Sequence, residues 1–217
     1  MAGHVWPAPP AAQIAPTDHA VRLRAPPGFV AIGSLLTPVG WSALIPAGLG
    51  YRNEIVALTG DLPASAGDDE LATVAALDAW LTTRLRAATI DRRVAVIDAW
   101  LLADGVADID ALAAALGLSR RALERLTRRT HGATPGRLAA KYRALRIAAD
   151  LVAGQTVDWR DAAAAAGLAD QSHLIREFRR FVGEIPGRFV TPPHSFAYRL
   201  LRGQWHPRRT LSIAIWS

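Results

Sequence analysis

Residues 112–137 read LAAALGLSRRALERLTRRTHGATPGR, and residues 167–189 read GLADQSHLIREFRRFVGEIPGRF. The two stretches are copies of one pattern. Leu123, Arg125, Arg128, Arg129, Gly132, Pro135, Gly136 and Arg137 recur 51 positions later as Leu174, Arg176, Arg179, Arg180, Gly183, Pro186, Gly187 and Arg188. Gly117 and Leu118 recur 50 positions later as Gly167 and Leu168, so the second copy has one extra residue in its turn. Two copies are too few for a solenoid and suit a pair of matched units.

Each copy predicts a short helix, a tight glycine turn and a second, basic helix. In the first, Ile109, Leu112, Ala113 and Leu116 form an apolar stripe at helical spacing. Gly117 ends that helix by accepting a positive φ. Leu118 plugs the corner, and Ser119 is the expected N-cap of the next helix. Ala122, Leu123 and Leu126 then point inward, which leaves Arg120, Arg121, Glu124, Arg125, Arg128 and Arg129 outside. In the second copy residues 161–166 form the short helix and Asp170 the cap. Residues 171–181 form the basic helix, with Leu174, Phe178 and Phe181 inward. This is a helix-turn-helix pattern, whose second helix enters the major groove of DNA. The helix between the copies, residues 138–152, would fix the distance between the two recognition helices.

The exposed side chains suit base edges. Arg121 and Arg125 lie at i, i+4, and either can pair bidentately with guanine. Gln171 can pair with adenine, Ser172 with several bases, and Arg176 with guanine. Arg128, Arg129, Arg179 and Arg180 come late in their helices and are expected on phosphates, adding affinity without sequence information. Glu124 could accept from cytosine or pair with a neighbouring arginine; the pairing is favoured.

The charge agrees. Residues 106–217 hold 18 basic and 9 acidic residues, a balance of +9, while residues 1–105 hold 7 and 10, a balance of −3. Such asymmetry suggests a polyanion partner for one half. The chain has no cysteine, which removes disulfides and thiolate chemistry. No apolar run is long enough to span a membrane. The first 16 residues, rich in proline, read as a frayed leader rather than a secretory signal.

The texture before residue 106 is different. Residues 20–24 and 29–36 are expected as short strands, with Pro26, Pro27 and Gly28 turning between them. Thr37 and Pro38 should open a helix through Trp41 and Leu44. Leu71, Val74, Leu77, Leu81 and Leu85 predict a helix beginning at Asp69 and Glu70. Val94, Ile97 and Leu101 predict another over 91–102, ended by Gly105. The expected fold is thus mainly α. A partial α+β region with two helices at its end covers 1–105, an all-α domain of two helix-turn-helix units joined by a central helix covers 106–190, and a basic, apolar tail covers 191–217.

The run from Gly167 to Phe189, with its DQSH, following Arg and Phe, and Gly-x-x-Pro end, resembles the closing signature of the AraC/XylS family of transcription regulators. Residues 112–137 resemble that family's first helix-turn-helix. The resemblance covers about 85 residues. It implies that Arg121, Arg125, Gln171, Ser172 and Arg176 face bases, and that Ser119 and Arg180 lie near phosphates. Leu168 and Leu174 depart from the aromatic residues usual there, and Ile175 from a small polar one. The stretch GFVAIGSLLTPVGWSALI, residues 28–45, followed by two helices, resembles the last portion of the sensor domains that precede some of these regulators. The front of such a sensor, most of a β-barrel, is expected to be missing.

The function expected is a cytoplasmic, sequence-specific DNA-binding transcription regulator that is not an enzyme and needs no cofactor. Double-stranded DNA is the expected partner. RNA polymerase and a small-molecule effector are further candidates, and the chain is expected as a monomer or homodimer. An enzyme is the weaker rival, because the six histidines are scattered without metal-ligand spacing and DNA-repair methyl transfer needs an absent thiolate. His173 is expected as a packing or capping residue. A helical protein-binding scaffold is the other rival, suggested by seven tryptophans and the apolar end from Leu211 to Trp216.

Overall fold

The structure is a computed structural model, and it describes residues 11–21, 32–45, 53–58, 69–103, 107–154 and 171–204. The described chain is mainly helical, with a small α+β region ahead of the helices. Two three-residue strands, β1 (Ala12–Ile14) and β2 (Ile55–Ala57), pair antiparallel with Ala12 opposite Ala57 and Ile14 opposite Ile55. Helix α1 (Pro38–Leu44) starts as its sequence dictates. Pro38 occupies the first turn, and the Thr37 hydroxyl accepts from the Gly40 amide at 3.1 Å. Its Trp41 is buried, and the helix packs on α3 (Arg92–Leu102) and α5 (Arg120–His131).

Helix α2 (Glu70–Ala87) is capped by Asp69, whose carboxylate accepts from the Ala72 amide at 2.9 Å. The helix forms where its periodicity places it, yet it buries no residue. Leu71 is 82% exposed and Val74 49%. Helix α3 has the same kind of pattern and the opposite outcome: Val94, Ile97 and Leu101 are all buried.

The first core joins α3, α4 (Ile109–Ala115), α5 and the start of α6 (Pro135–Ala153). Ile97, Leu101, Leu112, Ala113, Leu123, Leu126, Ala133 and Leu138 form it, with Trp100, Leu116 and Leu118 against its edge. Helix α3, read as the end of the preceding region, thus helps to bury the first basic helix. The second core joins the far half of α6 to α7 (Gln171–Val182), α8 (Pro186–Phe189) and α9 (Phe196–Gln204). Leu145, Ala148, Leu174, Phe178, Val182 and Phe189 lie at its centre. Phe189 meets Phe178 and Tyr198 edge-on, at 5.5 and 5.4 Å between ring centres.

Four expectations change here. Residues 32–36 carry no strand; the strands that form are short, and their partners lie some forty positions apart. The stretch read as a frayed leader holds β1, and Ala15 and Pro16 behind it are buried against the helices. The tail after residue 191 begins with α9, whose Ala197 and Leu201 belong to the second core. The central helix starts at Pro135 rather than 138, because proline is favoured at the first helical position. The expected strand over 20–24 and the short helix over 161–166 fall largely or wholly outside the described residues.

Candidate nucleic-acid interface

The turn between α4 and α5 is closed by its own backbone. The Leu118 amide donates to the Ala113 carbonyl at 2.9 Å and the Gly117 amide to the Ala114 carbonyl at 3.0 Å. Gly117 supplies the φ of 62° that this double bond requires. Leu118 then packs at the edge of the first core. The Ser119 hydroxyl accepts from the Ala122 amide at 3.2 Å and starts α5. Short turn, apolar corner and cap together fix the angle at which α5 leaves α4.

That angle puts one face of α5 into the core and the other into water. Leu123, Leu126, Thr127, Thr130 and His131 are buried, while Arg120, Arg121, Glu124, Arg125, Arg128 and Arg129 are exposed. Arg121, Arg125 and Arg128 follow at helical spacing along one ridge. Among the described residues neither Arg121 nor Arg125 has an acidic partner. Glu124 takes up Arg128 at 3.5 Å, which is the pairing favoured from the sequence. Arg120 is different: its guanidinium grips both oxygens of Asp110 on α4. The hydrogen bonds from Arg120 hold the Asp110 carboxyl below the usual carboxylate range, and Arg120 is raised in turn. Arg120 therefore ties the two helices of the unit together. Nothing but the ten-residue interval across the turn could have signalled this in the sequence.

Helix α7 repeats the arrangement. Leu174, Phe178, Phe181 and Val182 are buried; Ser172, Arg176, Arg179 and Arg180 are exposed. Gln171 stands at the first position of the helix. His173 is 44% exposed and faces Glu177 at 3.6 Å, so it lies beside the polar face rather than in the packing. Glu177 also accepts from Arg143 of α6 at 3.0 Å, an ion pair that anchors α7 to the central helix. The Arg180 guanidinium stacks 5.8 Å from the centre of the Phe181 ring. The corner at Gly167 and Leu168 and the cap at Asp170 lie outside the described residues.

The first unit is also held by buried polar groups that sequence reading missed. Thr130 donates to the Leu126 carbonyl at 2.9 Å and contacts His131 Nδ1 at 2.7 Å, while His131 Nε2 meets Asp98 of α3 at 2.9 Å. These buried hydroxyl and imidazole groups of the first unit are all paired, as burial demands. Burial, with Asp98 nearby, raises the Tyr142 phenol. Among the described residues no three histidine, aspartate or glutamate side chains come together as a metal site, and no helix is long and apolar enough to cross a membrane.

Comparison with protein families adds one match: the model of a helix-turn-helix domain, of the AraC type, aligns with residues 112–191. These residues are a DNA-binding helix-turn-helix domain. The domain takes in most of α4 and all of α5 to α8. Its family is one of DNA-binding regulatory domains, not of enzymes, and it makes the chain a DNA-binding transcription regulator. Comparison with curated proteins and with solved structures finds no match.

Proposed function

We propose that the helix-turn-helix domain reads duplex DNA sequence-specifically with both α5 and α7, each in one of two successive major-groove segments, as a member of the AraC/XylS family. The observation that carries this reading is the repeated amphipathic face. Two helices in the same register, 51 residues apart, bury one side against a shared α6 and turn arginines outward on the other. Arg121 and Arg125 on α5, and Gln171, Ser172 and Arg176 on α7, are the proposed base readers. Ser119, Arg128, Arg129, Arg179 and Arg180 are assigned to phosphates. Arg120 contributes charge at the helix start while holding Asp110.

The reading unit covers residues 106–190, with the earlier residues as the remainder of a sensor region. A cytoplasmic location, a small-molecule effector and contact with RNA polymerase belong to the same reading. The test is duplex binding against salt. Neutralising several phosphates releases their counterions, so the logarithm of affinity should fall linearly with the logarithm of salt, at about −0.9 per phosphate contacted. A chain that binds no duplex at low salt would return the domain to the scaffold reading.

A further inference from the structure

Just past the C-terminal ends of the two recognition helices, the repeat creates two equivalent glycine seats. Gly132 follows α5 and Gly183 follows α7, both in the left-handed region at φ 75° and 92°. One short segment of the N-terminal region touches both. Pro16 lies so close to Gly132 that a Cβ there would meet Pro16 Cβ at 2.8 Å. Four residues on, the Ala20 Cβ lies 3.2 Å from where a Gly183 Cβ would stand, and the Ala20 amide donates to the Arg180 carbonyl in the last turn of α7 at 2.7 Å. That bond caps a carbonyl the helix end leaves open.

Between the seats the segment is bound to the central helix. The Thr17 carbonyl accepts from Lys141 Nζ at 2.8 Å, and Asp18 pairs with Arg137 at 2.8 Å. Lys141 is the only lysine of the chain and is buried there; desolvation pulls its ammonium down to about 7, with Asp18 opposing. Asp18 is also held by Asn53 Nδ2 at 2.9 Å, and the Pro16 carbonyl accepts from the Asn53 amide at 3.1 Å. Through Asn53 the segment is tied to the β1–β2 ribbon. Arg137 and its repeat-equivalent Arg188 diverge in the same sense: Arg188 donates to the Thr191 carbonyl at 2.9 Å, whereas Arg137 is given to Asp18.

We propose that residues Pro16 to Ala20 are a positioning strap: by filling both glycine seats and binding Arg137 and Lys141 between them, they set the separation at which α5 and α7 read DNA. The inference rests on the two-helix reading above. It makes the spacing between the two recognised segments a property of the N-terminal region, and gives that region a physical route to the recognition helices.

The experiment uses the full chain, a random duplex library and hydrogen exchange. Asp18→Ala removes the ion pair, and Gly132→Ala drives a methyl group into Pro16. Gly154→Ala is the control, since Gly154 has a similar φ of 68° with nothing within 4 Å. The wild type and the control should select sites with one spacing between segments. The two strap variants should select mixed spacings, bind the wild-type site about tenfold more weakly, in the range usual for coupling between sites, and exchange faster at the ends of both α5 and α7. Strap variants that exchange faster at residues 15–20 yet keep a single spacing would overturn the proposal. If the wild type binds no duplex, the DNA reading fails and exchange alone decides: faster exchange at both helix ends supports the strap, and faster exchange confined to residues 15–20 refutes it.

Discussion

Helices α5 and α7 have the same register and are held by different physics. Leu123 and Leu174 are equivalent and both wholly buried. Beyond them the copies part. Thr127, Thr130 and His131 of α5 stand where α7 has Phe178, Phe181 and Val182. At these positions the first helix satisfies its hydroxyls on its own carbonyls and reaches α3 through His131 and Asp98. The second is fastened by aromatic rings, among them Phe178 against Phe189. At Leu126, buried in the first unit, the second has Glu177, which reaches out to Arg143. The outer faces differ as well: α5 opens with Arg120 and Arg121, α7 with Gln171 and Ser172. Helices α5 and α7 thus share a register and a buried leucine, while the rest of their inner faces and their outer faces differ.

This contrast can be broken at the core first. Phe178→Ala should destabilise the domain by about 3–5 kcal/mol, through lost transfer energy and the cavity left behind. Thr127→Ala, at the equivalent place, should cost about 1–2 kcal/mol, for a smaller volume and one weak hydrogen bond. Chemical denaturation of the two variants measures the difference; equal losses would mean that the two equivalent positions do not differ as described. On the outer faces the contrast sharpens at Arg125 and Arg176. Alanine at either should weaken binding to a selected site by about 1–3 kcal/mol and relax one base position, each in its own segment. Equal losses on selected and random duplex would demote them to phosphate contacts. The smallest effect belongs to the cap: Ser119→Ala should cost about 1 kcal/mol of stability, and a thermal melt unchanged by it would show that the cap adds nothing to α5.

The sequence made α5 legible because every local signal agreed there: Gly117 for the turn, Ser119 for the cap, and an apolar stripe opposite arginines. Helix α3 was legible for the same reason, from Val94, Ile97 and Leu101. Periodicity did not say what a helix packs on. Leu71 and Val74 promise a buried face on α2 as clearly as Val94 does on α3, yet they stay exposed. The strands were missed because three residues carry no usable alternation and their pairing is non-local. Helix α9 is nine residues long behind Pro192 and Pro193, too short for its apolar positions to stand out. Within the candidate site the exposed arginines could be placed from spacing alone. The ion pairs Arg120–Asp110 and Arg143–Glu177 could not, because each depends on how two helices cross. The strap was hidden more deeply, since three of its hydrogen bonds are made by backbone atoms of Thr17, Pro16 and Ala20.

The central claim, that one chain reads two segments with α5 and α7, is tested most directly by footprinting a selected duplex at a measured stoichiometry. One chain per duplex should protect two major-groove patches about one helical turn, roughly 34 Å, apart on the same face. Arg125→Ala should open one patch and Arg176→Ala the other. A single protected patch, or two patches that appear only when two chains are bound, would contradict it.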